Sequence, residues 1–490
     1  MAKKKVSPLG PEPMGEMLDL KEAADFLKVS KPTFYRWLAQ GKIKGAKVGQ
    51  QWRFQRADLE RFLQSDPTAL PAEVQGFRAA VNADRATRNL GPFPWPEGAE
   101  ADGDIPQFVF ALLEDAVRSM ASDIHVDPDR DAARVRYRID GVLQEVLSFP
   151  KEAAKAVVAR CKLLADCDIN ERRLPQNGRI RVSIENREYD FRLTTVPAIY
   201  GESMIMRILD QGSVLIGLDR LGMSESMRAT FEERLTVPQG LVVVVGPAGS
   251  GRTTTVYSAL NLLNDPKRKI VTIEDPVEYA LRGMMQVYVN RKAGLLPAGA
   301  LRTFMRCDPD IVMLYELRDL ETAEQCVTAA MTGHLVFTTL LGSDAASAVT
   351  RLIEMGLEPF LTASALSTVV AQRLVRRICP DCKAPYSPSA ELRRRVEAET
   401  GLDLSGKTFH RGAGCATCRQ TGYKGRTGLF EVMVITEALR EMIARPVSTA
   451  ALRQAAREAG LVTILQDGVQ KAAAGITTLE EVLRVLVSAY

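Results

Sequence analysis

LVVVVGPAGSGRTTTVYSALNLL, residues 241–263, decides the reading of the fold. An apolar, β-branched run passes directly into a glycine-rich turn, and the turn passes into an apolar, helix-forming stretch. A strand that delivers such a turn to a helix N-terminus aims backbone N–H groups and the positive end of the helix dipole at a phosphate. Gly246 and Gly251 stand at the spacing G-x-x-x-x-G-K-[ST], with Thr253 in the Ser/Thr place that reaches Mg²⁺. Gly246, Pro247, Ala248, Gly249, Ser250, Gly251, Arg252, Thr253 and Thr254 therefore form a candidate phosphate cradle. Position 252 holds Arg where the pattern asks for Lys. Arginine keeps the charge but is a wider planar fork, so the exchange is not neutral where a compact ammonium must reach between phosphates.

Outward from this loop, IVTIED (270–275), IVMLYE (311–316) and LVFTTL (335–340) are further short β-rich runs separated by helical patterns. That rhythm predicts an α/β core with a largely parallel sheet covered by helices. The expected domains are a compact basic unit at 17–65, a linker at 66–104, an α/β domain at 105–215, the loop-bearing core at 219–377, a cysteine module at 378–430 and a helical C-terminal domain at 431–490. The linker reading rests on five prolines within it (67, 71, 92, 94 and 96), another just beyond at 106, and weak apolar periodicity.

The chain has 490 residues, 46% of them apolar, and a net charge of +4, enough for several cores and too balanced for a polycation. The charge is concentrated in residues 17–64, where ten Lys/Arg face five Asp/Glu, a local +5 that leaves the remainder at about −1. No apolar run of eighteen residues occurs, and MAKKKVSPLGPEP at the start carries charge without an apolar segment, so neither a membrane span nor a secretory leader is expected. A cytoplasmic setting follows, with reduced cysteines. Of the eight, Cys161, Cys167, Cys307 and Cys326 read as small core residues. Cys379 and Cys382 (C-P-D-C) and Cys415 and Cys418 (C-A-T-C) have the spacing of two knuckles that close a tetrahedral thiolate site for Zn²⁺. Four protein ligands leave no open position, so such a zinc is structural; reduced thiols without metal are the alternative.

VTIEDPVEY (271–279), DPDIVMLYELRDLETA (308–323) and TGHLVFTTLLGSDAASAVTRLIEMG (332–356) closely resemble the Asp box, Walker B and His box of the secretion ATPases that drive type II secretion and type IV pilus assembly. The resemblance extends through ASDIHVDP (121–128), RVRYRIDGVL (134–143), ERRLPQNGRI (171–180) and TGYKGRTGLFEVM (421–433), roughly 105 to 490. It implies a RecA-like core in a hexameric homo-oligomer that binds ATP with Mg²⁺ and works on a membrane platform protein, in the cytoplasm or peripherally at the inner membrane. By the same resemblance Glu274 is the base or water-orienting carboxylate, Glu316 supports Mg²⁺, His334 senses the γ-phosphate, Arg192 and Arg207 reach phosphates across a subunit boundary, and Arg302 and Arg306 lie near the nucleotide. Such a set suits phosphoryl transfer, which is mostly positioning and charge neutralisation. Four departures accompany it: Arg252 for Lys, Tyr315 for the glycine before the Walker B glutamate, Leu341 for a second histidine, and Pro297 for Thr or Phe. They leave a weakened paralogue that binds nucleotide as a switch as the rival to a working motor.

Residues 17–63 read as an amphipathic helix, a second helix capped by Ser30 and ended by Gly41, two short strands around Gly49 and Gln50, and a third helix. The pattern resembles the winged helix-turn-helix of excisionase and MerR-like proteins. That resemblance implies DNA contacts from Lys31, Thr33, Tyr35 and Arg36 on the second helix and from Lys44, Lys47, Gln51 and Arg53 on the wing. Trp37 reads as core. A protein-docking role, and a DNA-binding regulator multimerised by the ring, remain open beside it.

Overall fold

The computed structural model describes residues 17–27, 29, 31–39, 43–48, 51–59, 77–88, 90–95, 105–210 and 216–487. The chain forms two compact units, residues 1–211 and 212–490.

The first unit opens with the small basic module. Asp19 caps the helix Leu20–Phe26 with a reciprocal capping box to Glu22. The helix Lys31–Ala39 follows, and β1 (Met17–Leu18), β2 (Ala46–Val48) and β3 (Gln51–Gln55) pair antiparallel in the order β1-β3-β2. Phe34, Trp37 and Phe54 are fully buried between helices and wing, the two phenylalanines edge to face at 4.8 Å. Trp37 is thus core, as expected. Ser30, Gly41, Gly49, Gln50 and the end of the third helix lie outside the described residues.

Within the stretch read as linker, the structure differs. Phe77–Thr87 is a helix, and Phe77 and Val81 are fully buried. Phe77 packs against Phe108 and Phe149 at 5.0 and 5.8 Å. Arg85 makes a buried ion pair with Asp115 at 3.1 Å. The prolines flank this helix rather than interrupt it, and its apolar stripe is only two residues wide.

The rest of the unit is an antiparallel sheet. Its strands are β4 (Ala121–Pro128), β5 (Ala132–Ile139), β6 (Val142–Pro150), β7 (Gln176–Ile184), β8 (Arg187–Ala198) and β9 (Gly201–Asp210), in the order β6-β5-β4-β9-β8-β7. The helices Ile105–Arg118 and Lys151–Leu164 cover one face. Arg160, nearly fully buried on the second of these, donates to the Leu27 carbonyl of the basic module at 3.1 Å.

The second unit holds a seven-stranded sheet of β10 (Gly240–Val245), β11 (Ile270–Glu274), β12 (Met285–Tyr288), β13 (Ile311–Leu314), β14 (Leu335–Leu340), β15 (Leu366–Ile378) and β18 (Tyr423–Val434). The order is β12-β11-β13-β14-β10-β15-β18; all neighbours run parallel except the edge pair β15–β18. Strands β10, β13 and β14 are buried along their whole length, which is why they read as unbroken apolar runs. The hairpin β16 (Lys383–Tyr386) and β17 (Phe409–Gly412), with the helix Ala390–Thr400, forms the cysteine module, and four helices from Glu437 to Val487 close the chain. Among the described residues no helix is long and apolar enough to cross a membrane.

Candidate nucleotide site and metal centre

The glycine loop leaves the carboxyl end of β10, between β14 and β15, where a parallel sheet receives its ligands. The close approach of β15 requires glycine at 246: a Cβ there would stand 2.6 Å from the Gln372 carbonyl. Gly249 and Gly251 hold left-handed backbone, with φ of 76° and 88°. Gly251 is the N-cap of the helix Arg252–Leu263, so the loop feeds the helix N-terminus directly. Thr255 Oγ1, one turn into that helix, donates to Gln372 Oε1 at 2.6 Å and pins the helix to β15.

The carboxylates stand at the ends of the neighbouring strands. Glu274 closes β11, fully buried, and takes hydrogen bonds from the Tyr257 hydroxyl, from Thr272 Oγ1 at 2.6 Å and from Gln286 Nε2 at 3.0 Å. Glu274 thus has both oxygens hydrogen-bonded and no exposed surface, unlike the solvent-reaching base expected there. Glu278, four residues on and partly exposed, is the carboxylate that sequence reasoning passed over. Its N–H donates to the Tyr257 hydroxyl, and its charge reaches both Tyr257 and Tyr315. The second glutamate of EDPVE, beyond the strand end, was the available signal.

Glu316 lies just past β13. Arg318 donates to its Oε2 from Nε at 2.8 Å and from Nη2 at 2.7 Å. Arg252 turns its guanidinium to the same carboxylate, Nη1 standing 3.7 Å from Oε1. Tyr315 is half-buried beside them; burial, then the Glu278 charge, pushes its phenol up, while Arg252 and Arg318 pull the other way. Thr253 follows on the helix, partly exposed. Of the expected Mg²⁺ ligands, Glu316 faces two guanidinium groups and Thr253 is partly exposed.

His334 is placed elsewhere. It precedes β14, and its carbonyl accepts from Gly240 N–H at the start of β10 at 3.0 Å. Because the strands are parallel, this is the amino edge of the sheet, about 20 Å from the loop by the rise of six extended residues. Its Nδ1 contacts the Ala329 carbonyl at 3.0 Å. Leu341, at the other end of β14, is the residue beside the loop: the Leu340 carbonyl accepts from Gly246 N–H at 3.1 Å. A phosphate-sensing role for His334 within its own chain does not fit this placement. Arg302 is exposed and pairs with Glu321 at 3.3 Å, and Arg306 is exposed as well. Arg192 and Arg207 belong to the first unit, as register partners on β8 and β9, with Arg207 donating to Asp123 at 3.0 Å.

The four module cysteines converge, their sulfurs all within 4.8 Å of one another. The Cys379–Cys415 and Cys382–Cys418 separations are 3.8 Å, and Cys415–Cys418 is 3.6 Å. A tetrahedron with Zn–S bonds of about 2.3 Å has edges of about 3.8 Å, so the cluster fits zinc. Burial opposes ionisation, yet the Cys415 and Gly422 N–H groups bring the Cys418 thiol down to about 7. Of the scattered cysteines, Cys161 and Cys326 are core as expected, with burial pushing both thiols up to about 12. Cys167 and Cys307 are only partly buried, against expectation.

On the basic module Lys31, Tyr35, Lys44, Lys47 and Gln51 are exposed, and Arg53 Nη2 donates to Gln51 Oε1 at 3.1 Å. Thr33 is buried and faces the core, so it leaves the set that could touch a groove. The Arg36 side chain lies outside the described residues.

Strand, glycine loop and helix at the carboxyl edge of a parallel α/β sheet define a P-loop nucleotide-binding protein. Residues 98–484 match the family model described as Type II/IV secretion system protein, and residues 17–67 match a helix-turn-helix domain. The type II secretion system protein E of Pseudomonas aeruginosa is 45% identical over 390 residues, covering 79% of this chain and 76% of that protein. The type IV pilus assembly ATPase PilB of Myxococcus xanthus is 44% identical, covering 79% and 69%. The chain belongs to the Type II/IV secretion system protein family. In fold it is similar to the Legionella pneumophila ATPase DotB (TM-score 0.58, 18% identity, 78% of this chain and 96% of that one). It is also similar in fold to the pilus retraction motor PilT solved with bound ADP (TM-score 0.50, 23% identity, 76% and 95%).

Proposed function

We propose that this chain is an ATP-dependent motor subunit of a type II secretion or type IV pilus assembly machine. In this reading it works as a homo-oligomer, a hexamer, at the cytoplasmic face of the inner membrane and pushes on a membrane platform protein. The carrying observation is the glycine loop of β10, with its left-handed glycines and helix N-terminus intact, inside a chain of this family. Glu278 is the carboxylate that orients the attacking water, Glu274 positions Tyr257 beside it, and Arg192 and Arg207 are the arginines offered to a neighbouring subunit's phosphates. The four cysteines hold a structural Zn²⁺, and the winged module contacts DNA through Lys31, Tyr35, Lys44, Lys47 and Arg53.

The deciding experiment is steady-state ATP turnover by the purified full chain, with nucleotide binding measured in parallel. Turnover that Glu278→Gln removes supports the motor. A chain that binds no nucleotide at all overturns it. A second reading, a nucleotide-operated switch with little turnover, is favoured by one observation: Arg252 faces Glu316 rather than open loop. Binding without turnover selects the switch.

A further inference from the structure

Arg252, Glu316, Arg318 and Tyr315 form one constellation beside the loop. Both partners of the Arg252–Glu316 pair are largely withdrawn from solvent, with side chains 11% and 7% exposed. Arg252 Nη1 is buried with no hydrogen-bond acceptor, close enough to Glu316 to neutralise it and too far to be satisfied by it. Glu316 itself is gripped by Arg318 through two N–H groups. A divalent cation approaching this carboxylate meets two positive charges already in place, which lowers its gain. Magnesium also demands octahedral geometry and retains several waters, and the half-buried Tyr315 side chain takes up room at the strand end. Nucleotide phosphates, by contrast, suit a guanidinium fork with an unsatisfied donor.

We propose that this site binds a nucleoside di- or triphosphate without a divalent cation, Arg252 and Arg318 supplying the positive charge at the phosphates. The inference rests on the reading that the glycine loop holds nucleotide. Arg252 is the pivot: its Nη1 stands 3.7 Å from Glu316, and a bound phosphate draws it toward the loop.

The test is equilibrium binding of a fluorescent ADP analogue to the purified full chain, in EDTA and in excess Mg²⁺. The expected dissociation constants agree within about threefold, where a metal-dependent site would lose about tenfold or more in EDTA. Tight binding only with Mg²⁺ overturns this inference and leaves the nucleotide site standing. No binding in either buffer overturns both. The paired variant Arg252→Lys with Tyr315→Gly removes the fork and opens the strand end. It is expected to bind in Mg²⁺ and to weaken in EDTA by about tenfold or more. Metal-independent binding by that folded variant removes Arg252 as the agent and overturns the proposal. Manganese in place of magnesium gives an independent readout: nucleotide-loaded natural protein is expected to leave the free Mn²⁺ spin signal unchanged, and its loss counts against the proposal.

Discussion

Two glutamates four residues apart look equivalent in VTIEDPVEY, and only their surroundings separate them. Glu274 is the last residue of a buried strand and is held by three donors; Glu278 sits past the strand end with partial access to solvent. Glu278→Gln is therefore expected to reduce turnover by about two orders of magnitude or more with nucleotide affinity nearly unchanged. Glu274→Gln is expected to act by loosening Tyr257 and to lower thermal stability as well. Turnover rates set beside melting curves for the two variants distinguish these outcomes; a reversed ranking returns the base role to Glu274. The loop itself was legible residue by residue, because glycine spacing encodes backbone conformation directly. The placement of His334 was not, because a motif gives the order of residues along the chain and not which edge of the sheet each end of a strand reaches.

At the scale of elements, the four core strands were legible from their unbroken apolar runs, whereas the helix Phe77–Thr87 was not. Only Phe77 and Val81 are buried apolar residues in it, and polar contacts fix the rest of its face. Asp84 accepts from Ser148 N–H at 2.7 Å and Ser148 Oγ at 2.6 Å, and pairs with Arg88 at 2.8 Å. Burial raises the Asp84 carboxyl, but Arg88 and Ser148 outweigh it and leave it below the ordinary value of 3.8. A depressed carboxylate stabilises the fold above its ordinary value, and that contribution is lost as pH falls through the depressed one. Asp84→Ala is thus expected to cost about 1–3 kcal/mol near neutral pH, by the usual worth of hydrogen bonds to a charged group. The gap between natural and variant melting curves should close as the pH is taken below 3.8. A gap that widens in acid contradicts this account.

For the whole molecule, the two features outside the nucleotide site make separate, measurable demands. Elemental analysis of purified protein is expected to find one zinc per chain, and Cys379→Ser to lose it together with protease resistance around residues 379–422. Full zinc content in that variant would mean the cysteines are not its ligands. For the winged module, DNA affinity is expected to fall linearly with salt on logarithmic axes. Lys44→Ala and Lys47→Ala should each lower that slope by about one without altering sequence preference. Absence of any salt-sensitive DNA binding favours protein docking instead. The module's own fold was readable from caps and turns, but its attachment through Arg160 to the Leu27 carbonyl was not, since one buried arginine on a distant helix leaves no local pattern.

Strand β15, second from the β18 edge of the sheet, runs thirteen residues and ends at the cysteine module. Gln372 on it braces the glycine loop through Thr255, and Cys379 follows directly on its last residue. Seven extended residues, about 23 Å, separate the two. Such a strand, paired with β10 as far as Ala371 and with β18 over residues 368–378, resists stretching, so a shift of the loop on taking up phosphate would pass along it. The four-cysteine module would then be the far end of a lever whose near end is the glycine loop.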